Sequence, residues 1–392
     1  MKDVFIVGAA RTPMGGFQGV FRDQTAPQLG AVAIRSALGG GAIAAAAVDE
    51  VLMGCVLPAG LGQAPARQAA LGAGLGENVP CTTVNKVCGS GMKTAMLAFD
   101  QIRAGTSDVV VAGGMESMSN APYLSTKTRS GARLGHAALL DHMFTDGLED
   151  AYQTGTLMGV FAEQCAQAYQ FTRADQDAYA IASLNRALSA EAAGQFRTEI
   201  SPVTLTTRKG QSVISTDEQP QSARPDKIPQ LKPAFKVEGT VTAANASSIS
   251  DGASAIVLAS AGHVAAHGLT ARARICGHAT FAHAPDLFTT APIYAAKKLL
   301  DQLGWDSGDV DLWEVNEAFA VVAMAFIRDM ELSHDTVNVH GGACALGHPI
   351  GASGSRILVT LLNALETHGK RRGMAVICLG GGEATAVAIE RG

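Results

Sequence analysis

The last third of this 392-residue chain repeats the order of elements found in its first third. In each copy a short apolar segment comes first, a glycine-rich turn with a helix follows, and an apolar strand then ends in consecutive glycines. The matched segments are residues 48–53 with 310–316, the helix after residue 88 with residues 351–365, and residues 109–111 with 374–379. This agreement predicts an internal duplication of one α/β unit. We expect equivalent loops of the two copies to face one cleft.

The strands of each copy are apolar throughout, as in residues 109–112 and 374–379. Uninterrupted apolar strands are typical of sheets that helices cover on both faces. The chain opens in the same style, with a predicted strand at residues 4–7 and a predicted loop at residues 8–13. The sequence therefore predicts an α/β protein.

Three regions are predicted from these changes in character. Residues 1–117 form the N-terminal half, which is completed by about residues 250–268, and residues 269–392 form the C-terminal half. Between them, residues 118–249 hold polar loops and a Pro/Gln/Lys-rich stretch. We expect this part to be an inserted loop domain that builds a lid or a binding surface.

Composition argues against several classes of function. The net charge is −5 without a basic block, so we expect no nucleic-acid partner. No apolar run reaches the roughly 18 residues that span a bilayer, and the predicted first strand leaves no room for a signal peptide. Seven widely spaced cysteines without a CxxC pair argue against disulfides and structural zinc. We expect a cytoplasmic protein that does not associate with membranes.

Cys88 lies just before a predicted helix over residues 92–103, whose apolar residues recur at helical spacing. The positive end of a helix stabilises a thiolate, which is the reactive form of cysteine. Gly89 and Gly91 are expected to permit positive φ and close approach of a ligand. Cys88 is therefore a candidate nucleophile.

His348 lies in a second glycine-rich stretch, residues 338–354, on a turn that leads into a helix. Histidine is well suited to take a proton from a thiol near neutral pH. His340, Cys344 and His348 have the spacing of metal ligands on a helix, but glycines and Pro349 interrupt that helix, so no metal site is predicted. The stretch also lacks the Lys-Ser/Thr ending of a P-loop.

Cys378 ends an apolar strand just before three glycines, and beside Cys88 and His348 it is a candidate second acid or base. Four motifs now occur in one order: residues 84–92, Asn316-Glu317-Ala318-Phe319, residues 338–354 with Gly-His-Pro, and residues 378–382 with Cys-x-Gly-Gly-Gly. Together they resemble the thiolase family over essentially the whole chain. The resemblance implies a duplicated fold of two α/β halves, layered α-β-α-β-α, with an inserted loop domain.

The resemblance also implies a mechanism. His348 activates Cys88, whose thiolate attacks an acyl-CoA and forms an acyl-enzyme. Cys378 then removes a proton from a second acetyl-CoA. Asn316, through a water, and His348 form one oxyanion hole, and the backbone N–H groups of Cys88 and Gly380 form the other.

Acyl-CoA thioesters are the implied small-molecule substrates, and no tightly bound cofactor is expected. The implied contacts to CoA and the acyl group are Ser247, Ala246, Phe235, Phe319, Leu148 and Met158, with Arg224 as the candidate for an adenine-side arginine that is missing at Gln221. A homodimer or homotetramer is implied, with residues 118–145 as the tetramer contact.

Besides Gln221, three departures concern specificity. Leu157 stands where acetoacetyl-forming members commonly have histidine, Glu383 stands where methionine is usual, and His340 stands where asparagine is common. The favoured hypothesis is the condensation of two acetyl-CoA, and the alternative is a broader or degradative 3-ketoacyl-CoA thiolase. A catalytically silent acyl-CoA-binding relative is a third hypothesis, which the intact catalytic residues disfavour. A cysteine hydrolase is disfavoured because no Asp or Asn is seen to orient His348.

Overall fold

The computed structural model describes residues 2–208 and 210–392, so Met1 and Lys209 lie outside it. Its strands in chain order are β1 (Val4–Arg11), β2 (Gly15–Gly16), β3 (Glu50–Gly54), β4 (Cys81–Val84), β5 (Val109–Ser117), β6 (Tyr123–Leu124), β7 (Leu140–Asp141), β8 (Val203–Thr207), β9 (Gly210–Ile214), β10 (Ser250–Ser260), β11 (Ala273–Ala282), β12 (Leu312–Val315), β13 (Arg372–Leu379) and β14 (Glu383–Glu390). Its α-helices are α1 (Ala26–Gly40), α2 (Pro65–Gly72), α3 (Ser90–Ala104), α4 (Met158–Tyr169), α5 (Arg173–Ala192), α6 (Glu218–Ser222), α7 (Ala261–His267), α8 (Ala291–Leu303), α9 (Ala320–Asp329), α10 (Ala343–Leu346) and α11 (Ile350–Thr367). A π-helix spans Phe144–Leu148.

The main sheet has the strand order β12-β13-β14-β11-β1-β10-β5-β3-β4, and β2 pairs with β10. At its centre β1 and β11 pair antiparallel, with Phe5 opposite Arg274 and Ile6 opposite Ala273. Moving outward, β10 corresponds to β14, β5 to β13 and β3 to β12, with the same sequence of antiparallel and parallel pairings on each side. The predicted duplication is confirmed, because β3 with β12 and β5 with β13 are the repeats seen in the sequence.

Helices α3 and α11 form the central layer between the two halves. Their apolar side chains, including Met96, Phe99 and Leu361, share one core with strand residues of both halves. Helices α1 and α2 cover the opposite face of the N-terminal strands, and α8 and α9 cover that of the C-terminal strands. The layers therefore run α-β-α-β-α, as predicted, and burial on two faces explains why these strands show no polar alternation.

Strand β1 continues through residues 8–11 of the predicted loop at residues 8–13, so that part of the prediction is wrong. Gly8 to Arg11 stay in register with β10, where Arg11 lies opposite Ser254. The Arg11 side chain is fully buried and bonds the carboxylates of Glu199 at 2.5 Å and Asp217 at 2.7 Å. Because these partners lie 188 and 206 residues away in the sequence, nothing near Arg11 indicated that its charge is buried. The charged residue therefore suggested a loop rather than the end of a strand.

The segment from 118 to 249 carries the π-helix, α4, α5, α6 and the hairpins β6–β7 and β8–β9. Helix α5 begins with a capping box, in which Thr172 Oγ1 accepts from the backbone N–H of Asp175. The domain boundaries at residues 117, 250 and 268 stay predictions. Among the described residues, no helix combines the length and apolar composition needed to cross a membrane.

Candidate active site

Cys88, His348, Cys378 and Gly380 line one cavity of about 590 Å³. Cys88 lies two residues before α3, and His348 lies two residues before α11. Cys378 is the penultimate residue of β13, and Gly380 follows in the turn to β14. The duplication therefore brings together groups that are separated by about 290 residues, as the sequence predicts.

The turn at Cys88 is held by Ser90. The Ser90 hydroxyl donates to the Val87 carbonyl at 2.6 Å and accepts from the Lys86 N–H at 2.8 Å. Val87 has a φ of 45°, which is unusual for a β-branched residue. This backbone strain lies directly beside the candidate nucleophile.

The positive φ predicted for Gly89 and Gly91 is wrong. The φ of Gly89 is −83°, and Gly91 lies in the first turn of helix α3 without a positive φ, so neither needs the left-handed region. A Cβ on Gly89 would overlap the Leu379 side chain, and one on Gly91 would lie 2.6 Å from Ser355 Oγ. These glycines allow close packing of the turn against β13 and α11.

In the structure as it stands, the thiolate form of Cys88 is disfavoured. Burial raises the pKa of the Cys88 thiol to about 12, and hydrogen bonds from the backbone N–H groups of Gly380 and Cys88 only partly oppose that rise. The thiol is therefore protonated near neutral pH. A base must remove its proton before Cys88 can attack.

His348 has the tautomer that such a base needs. Its Nδ1 lies 2.5 Å from Ser353 Oγ, and that hydroxyl donates to the Pro349 carbonyl at 3.0 Å. The hydroxyl oxygen is then left to accept from Nδ1–H, so Nε2 carries the free lone pair. Burial, with a further contribution from Arg356, lowers the pKa of His348 to about 3, so the imidazole is neutral.

Ser353 is a site residue that the sequence reasoning missed as an orienting group. It lies in the motif already quoted, five residues after His348, on the first turn of α11. A hydroxyl therefore stands here in the place that an Asp or Asn takes beside the histidine of a cysteine hydrolase.

Cys378 is buried, and its pKa is raised well above the ordinary value by burial and then by the neighbouring Cys88. Cys88 and Cys378 both line the same cavity. With both thiols protonated and the imidazole of His348 neutral, a proton can pass from either sulfur to Nε2 and back again.

Asn316 does not line the cavity but is fully buried, just after β12. Within the described residues, its Oδ1 and Nδ2 have no hydrogen-bond partner, and neither does Nε2 of His348. Buried polar atoms without partners are costly, and such sites commonly hold an ordered water. The role of Asn316 stays a prediction, and this environment is consistent with it.

The predicted acyl-CoA contacts divide into two groups. Those that line the cavity are Ser247, Ala246, Phe235, Phe319, Leu148 and Met158. The backbones of Ala246 and Phe319 pair in an isolated antiparallel β-bridge. Ser247 Oγ donates to the Ala318 carbonyl at 2.9 Å. Arg224 instead lines a neighbouring cavity of about 320 Å³. Gln219, Ser222 and Ala243 border both cavities, so the two adjoin.

Several lining residues were not predicted. Phe144, Phe288, Ile350 and Phe17 add apolar surface, and Phe17 is half exposed. The Phe17 loop is tied down by Glu218, whose carboxylate accepts from the N–H groups of Gly16 and Val20 at 2.8 and 3.0 Å. These residues come from four separate segments, which sequence spacing alone does not connect.

Two family models cover nearly the whole chain. "Thiolase, N-terminal domain" matches residues 4–262, and "Thiolase, C-terminal domain" matches residues 269–391. The chain belongs to the thiolase family. The resemblance seen in the four motifs is thereby confirmed.

Other thiolases are similar over their full length. The acetyl-CoA acetyltransferase of Schizosaccharomyces pombe is 48% identical over 391 residues, with 99% of both chains covered. The acetyl-CoA acetyltransferase of Cupriavidus necator is 48% identical, with 100% of both chains covered. Among solved structures, the Acat5 thiolase from Ascaris suum in complex with coenzyme A aligns with a TM-score of 0.94 and 42% identity over 100% of both chains.

Proposed function

We propose that this thiolase is an acetyl-CoA C-acetyltransferase, which reversibly condenses two acetyl-CoA to acetoacetyl-CoA and CoA. The observation that carries the proposal is the convergence of Cys88, His348 and Cys378 on one largely apolar cavity. Full-length relatives named acetyl-CoA acetyltransferase support the choice of substrate. No resident cofactor is required, because CoA arrives with the substrate.

The first half-reaction acylates Cys88. His348 Nε2 takes the thiol proton, and the sulfur attacks the thioester carbonyl of the first acetyl-CoA. The tetrahedral adduct expels the CoA thiolate, and the imidazolium returns the proton to it. Acetyl-Cys88 and CoA result, with His348 neutral again.

The second half-reaction forms the carbon–carbon bond. Cys378 gives its proton to His348 and then takes a proton from the methyl group of the second acetyl-CoA. The carbanion attacks acetyl-Cys88 and expels the Cys88 thiolate, which is reprotonated by His348. All three groups regain their starting protonation states.

Each half-reaction develops negative charge on a thioester oxygen. The N–H groups of Cys88 and Gly380, which face the sulfur, are placed to serve one of these oxygens. Asn316 and Nε2 of His348 are buried polar groups without a hydrogen-bond partner among the described residues, and they are candidates for the other once His348 has taken a proton. A preorganised donor of this kind typically contributes about 3–4 kcal/mol to the lowering of the barrier.

A broader or degradative 3-ketoacyl-CoA thiolase is the second candidate. Leu157 lines the cavity beside Met158, so the departure from histidine adds an apolar side chain where the substrate binds. Apolar surface there favours longer acyl chains by about 0.8 kcal/mol for each buried methylene.

The test is thiolysis of acetoacetyl-CoA, 3-ketohexanoyl-CoA and 3-ketodecanoyl-CoA, with Cys88→Ala as the blank. Turnover confined to acetoacetyl-CoA supports the acetyltransferase. Equal or higher turnover of the longer substrates makes the second candidate the function. Absence of any turnover that depends on Cys88 rejects both.

We also propose a cytoplasmic homotetramer or homodimer. All seven cysteines are free, which fits a reducing compartment. Between residues 118 and 145, Tyr123, Leu134 and Leu139 are exposed by 64%, 88% and 68%, which supports this segment as the tetramer contact. Sedimentation analysis of the wild type and of Leu134→Asp would test the assembly.

A further inference from the structure

Lys86 and Glu383 form an ion pair that joins the two halves of the chain beside the nucleophile. Lys86 lies two residues before Cys88, and Glu383 is the first residue of β14, directly after the turn that carries Gly380. Their side chains are 23% and 33% exposed. A pair of this burial is screened less by salt than one on the open surface.

The two backbone donors that face the Cys88 sulfur belong to different halves. One is the N–H of Cys88 itself, and the other is the N–H of Gly380. A Cβ built on Gly89 would overlap the side chain of Leu379, the residue before Gly380, so the two turns touch through apolar atoms. Apolar contacts of this kind limit how closely the two turns approach each other. They do little to fix the directions in which the two N–H groups point.

The turn that carries Gly380 consists of three glycines, and its Gly382 carbonyl accepts from the N–H of His283 at 2.9 Å. Gly381 and Gly382 have φ values of 87° and 80°, and glycine keeps the greatest backbone freedom. Leu379 and Glu383 are the paired residues that close this hairpin. An ion pair to Glu383 therefore restricts the turn at its closing residue.

We propose that the Lys86–Glu383 pair is a positioning device, which fixes the separation of the Cys88 and Gly380 N–H groups during acyl transfer. Among the described residues, neither Lys86 nor Glu383 lines the catalytic cavity. The pair therefore acts through the backbone. This inference rests on the proposed acyltransferase function.

The test compares Glu383→Gln, Lys86→Met, the double variant and Lys86→Arg in the thiolysis of acetoacetyl-CoA. Removal of an oxyanion donor lowers kcat by about 10²–10³-fold. Displacement of the donor should lower kcat by less than its removal does. We therefore expect each charge-removing variant to lower kcat about tenfold and to change KM by less than about twofold. Because the pair acts as a unit, the double variant should be no slower than either single variant, and Lys86→Arg should keep most of the activity.

Arg272 and Glu366 supply a matched control. Their ion pair has similar exposure, 19% and 29%, and both residues border a cavity separate from the catalytic one. Glu366→Gln should leave kcat unchanged, and calorimetry should show comparable unfolding temperatures for all variants. Should either single variant fail to fold, the other gives the same comparison.

Three results would overturn the inference alone: unchanged kcat in both single variants, additive losses in the double variant, or an equal loss in Glu366→Gln. A wild type without turnover dependent on Cys88 would overturn the proposed function and this inference with it. The two failures are thus distinguished by the wild-type measurement.

Discussion

Cys88 and His348 occupy equivalent places in the two copies, each two residues before the first residue of a central helix, Ser90 of α3 and Ile350 of α11. The duplicated unit thus supplies two helix N-termini at one cavity, where backbone dipoles favour negative charge. Negative charge is what both half-reactions generate on the thioester oxygen. Side chains at the same position of the repeat have diverged into a nucleophile and a base.

Replacing Ser353 with alanine should lower kcat at least about tenfold, because Nδ1 of His348 then loses the oxygen that fixes its tautomer. The change is measured by thiolysis of acetoacetyl-CoA. Ser355→Ala is the matched control, since Ser355 lies on the same helix and bonds Ser254 at 2.6 Å. Equal losses in the two variants would contradict the role of Ser353.

Replacing Asn316 with alanine should lower kcat about 10²-fold without lowering the unfolding temperature. Its side chain has no partner among the described residues, so its removal leaves no protein group unpaired. Asn363 provides the contrast, because its Nδ2 donates to Gln195 O at 2.7 Å and to Glu199 at 2.9 Å. Asn363→Ala should unfold at lower temperature and keep its turnover. The reverse pattern would remove Asn316 from the mechanism.

Replacing Cys378 with alanine should separate the half-reactions. Acetyl-CoA should still acetylate Cys88, since that step uses His348 alone, while condensation and thiolysis fall by about 10²-fold or more. Intact-mass measurement after mixing with acetyl-CoA detects the acetyl group. A variant that is neither acetylated nor active would place Cys378 in the first step.

Replacing Leu157 with histidine should shift specificity towards short chains. A polar ring at this position of the cavity disfavours an apolar acyl tail, and one or two lost methylene contacts change the ratio of kcat/KM values about tenfold. The ratio for 3-ketodecanoyl-CoA against acetoacetyl-CoA measures the shift. An unchanged ratio would show that the acyl tail does not reach Leu157.

His340 should make the fold sensitive to acid. Burial, followed by the charges of His368 and Arg11, lowers its pKa from 6.5 to about 4. Between these values the unfolded chain binds more protons than the folded one, so stability is present above pH 6.5 and is lost as pH falls towards 4. At pH 5 the loss from this group is about 2 kcal/mol.

The measurement is urea unfolding of the wild type and His340→Asn at pH 7 and pH 5. The variant should lose less stability between the two pH values, whatever its absolute stability. Parallel losses would mean that His340 titrates normally in the folded protein.

The sequence predicted the fold well wherever the information was local or repeated. Apolar strands and the duplicated order were enough to place α3 and α11 between two half-sheets. The burial of Arg11 was beyond reach, because its partners Glu199 and Asp217 come from the inserted segment. Long-range charge pairing leaves no periodic trace in a sequence.

The site was predictable to the extent that its residues lie in motifs. Three motifs supplied Cys88, His348 and Cys378, whereas the protonation state of Cys88 depends on burial that only the folded chain defines. Gly89 was read as a flexible residue, but its missing side chain matters for packing against Leu379. A glycine in a sequence does not reveal which of these two needs it meets.

The central layer has a further consequence for how this protein would lose activity. Cys88 precedes α3 and His348 precedes α11, so the reacting groups meet only while the two halves remain docked across those helices. Turnover therefore reports on docking, whereas circular dichroism reports on the helices and strands within each half. As the denaturant concentration rises, activity should be lost before the dichroism signal is lost. The difference between the two midpoint concentrations measures how stable each half is on its own.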